Sequence, residues 1–378
     1  MDNLGTLYKL RSKIMSKQNG DLRLLLANFR DTKQQVDIEK RNSVIEDFFR
    51  IKIDVKPWRD AKDTRKDNKH FDWNNKKNIM DSMSSPSSFD MPSWVLYNLN
   101  NKKDLDKEIN KYCEVFIYQL KGCNLHCPYC FVDDFNKNGK YDENSGFFSM
   151  QEIIREFELE RIKRKEEKNV NQIYRIRASV GEPSIVPEQW LSLLQELDKR
   201  GLSRVVHVQS DTNLTTGHFI DALEEKGRIE KDILKKIAEY KNFSLLCSFK
   251  GTDKENFSKN TGADPSLIHE QMYSFEKLVN AGIDVYPFFY NPNPKTIEHF
   301  MENLEEKFGS NIYAKTWILP LKVYEPVKDR IKCKADSYEK EWKENYEQSE
   351  EKMRELVKKK TGLEYKKVLR TGFKLKTE

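Results

Sequence analysis

From Tyr112 onward, short runs of β-branched and aromatic residues alternate with longer amphipathic stretches. The runs 113–120 (CEVFIYQL), 173–179 (IYRIRAS), 204–209 (RVVHVQ), 243–249 (FSLLCSF), 283–290 (IDVYPFFY) and 312–319 (IYAKTWIL) predict strands. Helices are expected between them near 149–165, 188–200, 218–240, 265–281 and 295–307. The fourth helix is the best marked. Asp264 can cap it, Pro265 suits its first turn, Ile268, Met272, Phe275 and Val279 recur on one side, and Gly282 can end it. Strands and helices in this alternation read as repeated β–α units around a parallel sheet, an α/β fold expected to form a partial (βα)6 TIM-like barrel over 111–331. Every β–α loop of such a barrel opens at the carboxyl ends of the strands, so reactive groups are expected to share that face.

The flanking segments read differently. Between residues 4 and 50, apolar positions such as Leu22, Leu25, Leu26 and Phe29 recur at helical spacing among charged ones, so residues 1–110 are read as a helical and basic N-terminal extension. Lys56 to Asn78 is strongly basic and polar with Trp58 and Trp73 interleaved, and Ser82 to Ser88 (SMSSPSS) places a linker near 82–93. Within the segment 332–378, a C-terminal charged helix is expected at 336–361. Tyr338, Trp342, Tyr346, Met353 and Leu356 give it one apolar face to pack on the outside of the barrel, and Gly362 gives it a stop.

Composition changes this picture little. In 378 residues, the 34% of charged side chains leaves an apolar fraction of 37%, which fits long solvated helices. The net charge of +6 is the small remainder of 67 basic and 61 acidic residues and points to no class of partner. No apolar run approaches the roughly 20 residues of a membrane span and Met1–Leu10 has no signal-like core, so a cytoplasmic protein with no membrane association is expected. Six cysteines are too few for a secreted disulfide scaffold.

Their placement carries more. Cys123, Cys127 and Cys130 fall in KGCNLHCPYCF, directly after the strand ending near Leu120. Thiolates are soft ligands for zinc or for iron–sulfur clusters, and three on one loop can wrap a cuboidal cluster while leaving one iron open to a further ligand. A zinc site with His126 or a distant cysteine as fourth ligand is the alternative, in which case the loop belongs to a non-enzymatic interaction module; His126 directly precedes Cys127 and is poorly placed to converge on the same ion. Cys113 and Cys247 sit in apolar strands and are read as core, and Cys333 has no assignment.

The CxxxCxxC spacing resembles the signature of the radical S-adenosylmethionine (SAM) superfamily. That resemblance implies a 4Fe-4S cluster on Cys123, Cys127 and Cys130, and SAM chelating the open iron. Reductive cleavage would then give a 5′-deoxyadenosyl radical that abstracts hydrogen from a substrate. It also implies that Tyr129, before the third cysteine, packs against adenine. After the second strand, SVGEPSI is similar to the family's GGEP motif, with Gly181, Glu182 and Pro183 matching and Val180 in place of the first glycine; these residues would bind the methionine ammonium. Valine there implies either that no special torsion is needed or that the cofactor contacts differ. At the third strand's end, Ser210, Asp211 and Asn213 are hydrogen-bonding side chains where a ribose would be held, Asp211 being the best candidate.

Two further blocks narrow the resemblance toward glycyl-radical-enzyme activases. In SFKGTDKENFSKNTGAD, the residues Lys250, Asp253, Phe257, Thr261 and Gly262 match and Ser248 replaces an aspartate. In TWILPLK, Leu319 and Pro320 match, while Leu321 and Lys322 replace an aromatic residue and a histidine. Lys250 is a candidate catalytic residue, to neutralise the cofactor carboxylate or to grip a substrate anion. The expected partners are a one-electron donor such as flavodoxin or ferredoxin and a protein or peptide substrate. The alternative within the class is RNA or nucleotide modification, with the basic stretch around Trp58 and Trp73 as the contact.

Overall fold

The computed structural model describes residues 3–39, 44–53, 92–99, 112, 114–167, 172–332, 335–365 and 373–376. The basic stretch with Trp58 and Trp73, the serine-rich segment, Cys113 and Cys333 lie outside them. Six parallel strands form the centre: β5 (Glu114–Tyr118), β7 (Arg175–Ala178), β8 (His207–Thr212), β9 (Phe243–Phe249), β10 (Asp284–Tyr290) and β11 (Trp317–Leu319). They lie in sequence order, each joined to the next through helical segments, as parallel neighbours require. This is the partial (βα)6 barrel expected from the strand pattern. All six expected strands are present, β9 over the same residues and β8 displaced by three. The last expected strand, 312–319, is divided: Asn311–Lys315 is a short helix and only Trp317–Leu319 pairs, with Phe288–Tyr290.

The helices follow their sequence signals. Met150–Glu166 starts at a capping box, Ser149 accepting from the Glu152 amide while the Glu152 side chain accepts from the Ser149 amide. Glu188–Lys199, Leu267–Asn280, Ile297–Phe308 and Ala335–Thr361 match the expected helices to within a few residues. The expected helix 218–240 is two, Gly217–Glu225 and Ile233–Glu239; Gly227 and Asp232 between them take left-handed φ of 59° and 55°, which a continuous helix excludes.

The N-terminal extension departs most from its sequence reading. Asn3–Ile14 and Lys33–Glu39 are helices, but Leu22, Leu25 and Leu26 lie on a strand, β2 (Asp21–Ala27), between β1 (Met15–Gln18) and β6 (Ser145–Ser149) in a three-stranded antiparallel sheet. Leu24 to Ala27 are all buried, so the chain has a partner on both faces and the period-two pattern of a half-exposed strand never shows. A hairpin, β3 (Val44–Glu46) and β4 (Phe49–Ile53), then extends the barrel sheet by pairing antiparallel with β5.

The main core lies between the outer sheet face and the helices, where Ile176, Val208, Leu245, Cys247, Phe249 and Phe289 meet Trp190, Leu194, Phe219, Phe275 and Phe300. Each such large side chain contributes about 1.5–3 kcal/mol by leaving water. Cys247, fully buried there, is a core residue as expected. The inner face is unusually polar on β7 and β8: Arg175 donates to Gln209 (2.8 Å) and Arg177 to Asp211 (2.6 Å). Below them sits His207, fully buried, 5.9 Å from the Trp94 ring and with neither ring nitrogen hydrogen-bonded among the described residues.

Burial, with the Arg175 charge beside it, holds the His207 pKa well below its ordinary value. The folded state therefore binds fewer protons than the unfolded chain below about pH 6.5, so stability is fully present above that pH and declines as pH falls. The Tm is expected to fall between pH 7.5 and pH 5, and to fall less in His207→Phe. An equal acid-induced drop in both proteins would refute this source of the pH dependence.

Candidate active site

The loop after β5 carries the three cysteines and is tied down by its backbone. The Lys121 amide donates to Leu25 of β2 (3.0 Å), Cys123 to Lys137 (3.0 Å), His126 to Thr261 (2.9 Å) and Cys130 to Cys127 (3.1 Å). The wholly buried Lys121 ammonium pairs with Asp142 at 2.5 Å. Asp133 accepts from the Lys33 and Gln34 amides at 3.2 and 3.0 Å, joining the loop to the start of the helix Lys33–Glu39. Loop geometry is thus set by residues from several separate elements.

All three thiols are free and line one pocket at the carboxyl ends of the strands, Cys127 buried and the other two partly so. Burial pushes the Cys123 thiol up to about 12, with the nearby Glu182 charge adding to it. Cys127 is raised as well, again by burial, against the opposing pull of Lys250. His126 is exposed and does not line the pocket. Among the described residues, no three His, Cys, Asp or Glu side chains are gathered to hold a single metal ion.

The opposite wall is the turn after β7. Both Val180 and Gly181 are left-handed there, with φ of 69° and 68°. The alternative that valine marks a turn needing no special torsion is therefore corrected: the torsion is present and a β-branched residue bears its strain. At Gly181 a Cβ atom would stand 2.5 Å from the carbonyls of both Leu120 and Gly122, so the turn rests directly on the cysteine loop. The Glu182 amide donates to Gly122 O at 2.7 Å. Its carboxylate, 1% exposed, accepts from the Asn213 amide at 2.6 Å and from the Ser184 amide and hydroxyl. Burial raises the Glu182 carboxyl to about 7 although these hydrogen bonds pull it down.

Of the other expected residues, Tyr129, Asp211, Asn213, Lys250 and Pro320 line the same pocket. Asp211 is held by Arg177 and by the Ser179 hydroxyl (2.5 Å). Asn213 donates to Asn124 Oδ1 (3.0 Å) and lies 3.8 Å from Cys123 Sγ. The Lys250 ammonium sits over the rings of Tyr129 and Tyr290, at 5.9 and 5.6 Å from their centroids. Two residues do not face the pocket. Pro183 opens the short helix Pro183–Ile185 and its carbonyl accepts from Gln189. Ser210 points out of the barrel, donating to Ala178 O and accepting from Trp190 Nε1, both at 2.9 Å.

The block after β9 has a local structural role. Asp253 caps the helix Lys254–Thr261, Phe257 is buried and Gly262 ends it, so that Thr261 can receive the His126 amide. Residues not singled out from sequence also reach the pocket: Arg50 from the hairpin, Arg177, Phe288, Tyr290 and Tyr324, beside Ser248, which stands where the activases have an aspartate. The alternation in RIRA and DVYPFFY places Arg177, Phe288 and Tyr290 inward and was the available signal. The C-terminal helix does more than cover the outside of the barrel: Trp342, 4% exposed, packs edge-on to Tyr129 at 6.2 Å.

The sequence profile of the radical SAM superfamily matches residues 117–305, half of the chain, from β5 through the helix Ile297–Phe308. The chain belongs to the radical SAM superfamily. Among solved structures it is similar to Streptococcus suis SuiB bound to S-adenosylmethionine, at 15% identity and a TM-score of 0.33, covering 51% of this chain and 37% of that one. SuiB bound to its precursor peptide SuiA gives 17% identity and a TM-score of 0.33, with 51% and 36% covered. The chain thus spans little more than a third of SuiB. No curated protein matches its sequence.

As a radical SAM protein the chain is an enzyme whose cofactors are a 4Fe-4S cluster and SAM. The pocket fits them. Three free thiols on one loop are a soft, three-point donor set, and the adjoining wall offers the Glu182 carboxyl and the anchored Asp211 carboxylate for a cationic, hydroxyl-rich ligand. The Ser248 hydroxyl, buried and without a hydrogen-bond partner among the described residues, is a further polar group facing that space.

Proposed function

We propose that this radical SAM enzyme abstracts hydrogen from a C–H bond of a protein or peptide substrate. Cys123, Cys127 and Cys130 hold the cluster, Gly181 and Glu182 receive the methionine ammonium, Asp211 the ribose hydroxyls, and Tyr129 lies against adenine. Bound there, the cluster and SAM supply one-electron reduction and hydrogen abstraction. The chain's own part is to place groups. An ammonium beside Glu182 would hold its carboxyl ionised, where burial, outweighing its hydrogen bonds, raises it to about 7. Arg177 and Ser179 fix the direction in which Asp211 accepts hydrogen bonds.

The observation that carries the substrate reading is the apolar and aromatic share of the pocket lining. Phe288, Tyr290, Leu321 and Tyr324 form an apolar, aromatic wall interrupted by the Ser248 hydroxyl, a surface suited to an extended segment with side chains and amide groups. Arg50 from the N-terminal extension closes one side, so the extension shapes substrate access. A second reading, a nucleotide or RNA substrate, is favoured by the cations Arg50, Lys250 and Lys322 along the same pocket. An external donor such as flavodoxin or ferredoxin supplies the electron, and free thiols suit the reducing cytoplasm. Among the described residues no helix is long and apolar enough to cross a membrane.

The test is isotope transfer. Anaerobically reconstituted protein is given SAM, a reductant, and either peptides deuterated on carbon or deuterated nucleotides. Deuterium is expected in 5′-deoxyadenosine from a peptide; transfer from nucleotides alone would replace the peptide reading by the second one.

A further inference from the structure

Beyond the pocket, elements from the two sides of the barrel sequence meet on the last turn of the cysteine loop. Arg330 lies on the helix Glu325–Ile331, two hundred residues after Cys130, with its side chain 14% exposed. Its guanidinium donates to the backbone carbonyls of Cys130 and Val132, and its Nε lies 3.1 and 3.2 Å from the two oxygens of Asp134. That helix is fixed in turn. The Glu325 amide donates to Asp37 at 2.8 Å and Val327 and Ile331 are buried, while the exposed pair of Asp329 with Lys33 adds little. From the other side, Asp133 accepts from the Lys33 and Gln34 amides.

Residues Cys130 to Asp134 are therefore gripped by two helices, and the fork of Arg330 is the only side chain among the described residues recorded as binding the Cys130 carbonyl. A planar guanidinium on two carbonyls of one turn fixes the backbone from which the thiol of Cys130 projects. It also brings a positive charge, partly offset by the Asp134 carboxylate, to the backbone of that cysteine, and a nearby cation favours the more reduced, more negative state of a metal centre. We propose that Arg330 is a positioning residue for the iron–sulfur centre, orienting Cys130 and raising the centre's reduction potential. This rests on the radical SAM assignment of the three thiols.

The experiment compares anaerobically reconstituted wild type with Arg330→Gln, Arg330→Lys and Asp329→Asn. Two properties are read: the rate at which a chelator strips iron, and the midpoint potential. Loss of a group that orients a metal ligand typically costs 10–100-fold in retention, so Arg330→Gln should lose iron about that much faster and show a more negative potential. Arg330→Lys should recover the potential but not the retention, because it keeps the charge and loses the fork. Asp329→Asn, which breaks a neighbouring ion pair on the same helix, should match wild type in both. Wild-type potential in Arg330→Gln, or equal losses in Asp329→Asn, would overturn the proposal and leave a merely structural contact. A wild-type protein that takes up no iron would overturn the cluster assignment together with it.

Discussion

Replacing Cys127 with alanine is expected to leave a folded protein that takes up iron only at background level and loses reductive cleavage of SAM by at least about 10³-fold. The size follows from the proposed role: losing a group that merely orients a ligand costs 10–100-fold, and Cys127 is proposed as a ligand itself. The structural cost is small by comparison. Cys127 is 7% exposed and packs within the main core cluster, so removing its sulfur should cost about 1 kcal/mol, a few degrees in Tm. The measurements are iron and sulfide content, visible absorption and chromatographic detection of 5′-deoxyadenosine. Cleavage retained in Cys127→Ala, or a colourless wild type with stoichiometric zinc, would remove the cluster from the account. Alanine at Cys123 or Cys130 should behave alike.

The second large effect is expected at Gly181. Alanine there must hold φ near 68°, at about 1–2 kcal/mol for a left-handed residue with a Cβ, and that Cβ meets two backbone carbonyls at 2.5 Å. Neither carbonyl is the end of a flexible side chain, so the turn or the cysteine loop must move. A total loss of about 2–4 kcal/mol is expected from denaturant unfolding, with SAM affinity lost in parallel because Glu182 follows in the same turn. Gly201, also left-handed but with nothing within 4 Å of an added Cβ, is the control, and alanine there should cost only the torsional part. Equal losses at the two sites would show that the close approach to Leu120 and Gly122 has no weight.

Much of the barrel and the centre of the site could be read from the chain, because both are written locally. The cysteines are eight residues from first to last, and Gly181 and Glu182 adjoin a strand end. What failed depended on what a segment packs against. β8 runs on to Thr212, so its alternation continues through two positions read as loop, and Asp211 faces the pocket while Ser210 binds Trp190 outside. HVQSDT resembled a strand followed by a loop because its inner positions are polar, and they are polar because the barrel interior holds ion pairs and hydrogen bonds. Leu22, Leu25 and Leu26 fitted a helix because a strand buried on both faces has no periodicity to recognise. The C-terminal helix showed an apolar face, but nothing local to it says that Trp342 meets Tyr129.

That last contact bears on the order of events during synthesis. Cys130 is translated some two hundred residues before Arg330 and Trp342, yet both of them contribute to the walls and tethers of its loop. A nascent chain holding only the three cysteines has the ligands without their enclosure. Chain segments so far apart meet late in folding. Iron delivered on the ribosome would thus meet an exposed, poorly held loop, and stable loading belongs after residue 342 has emerged.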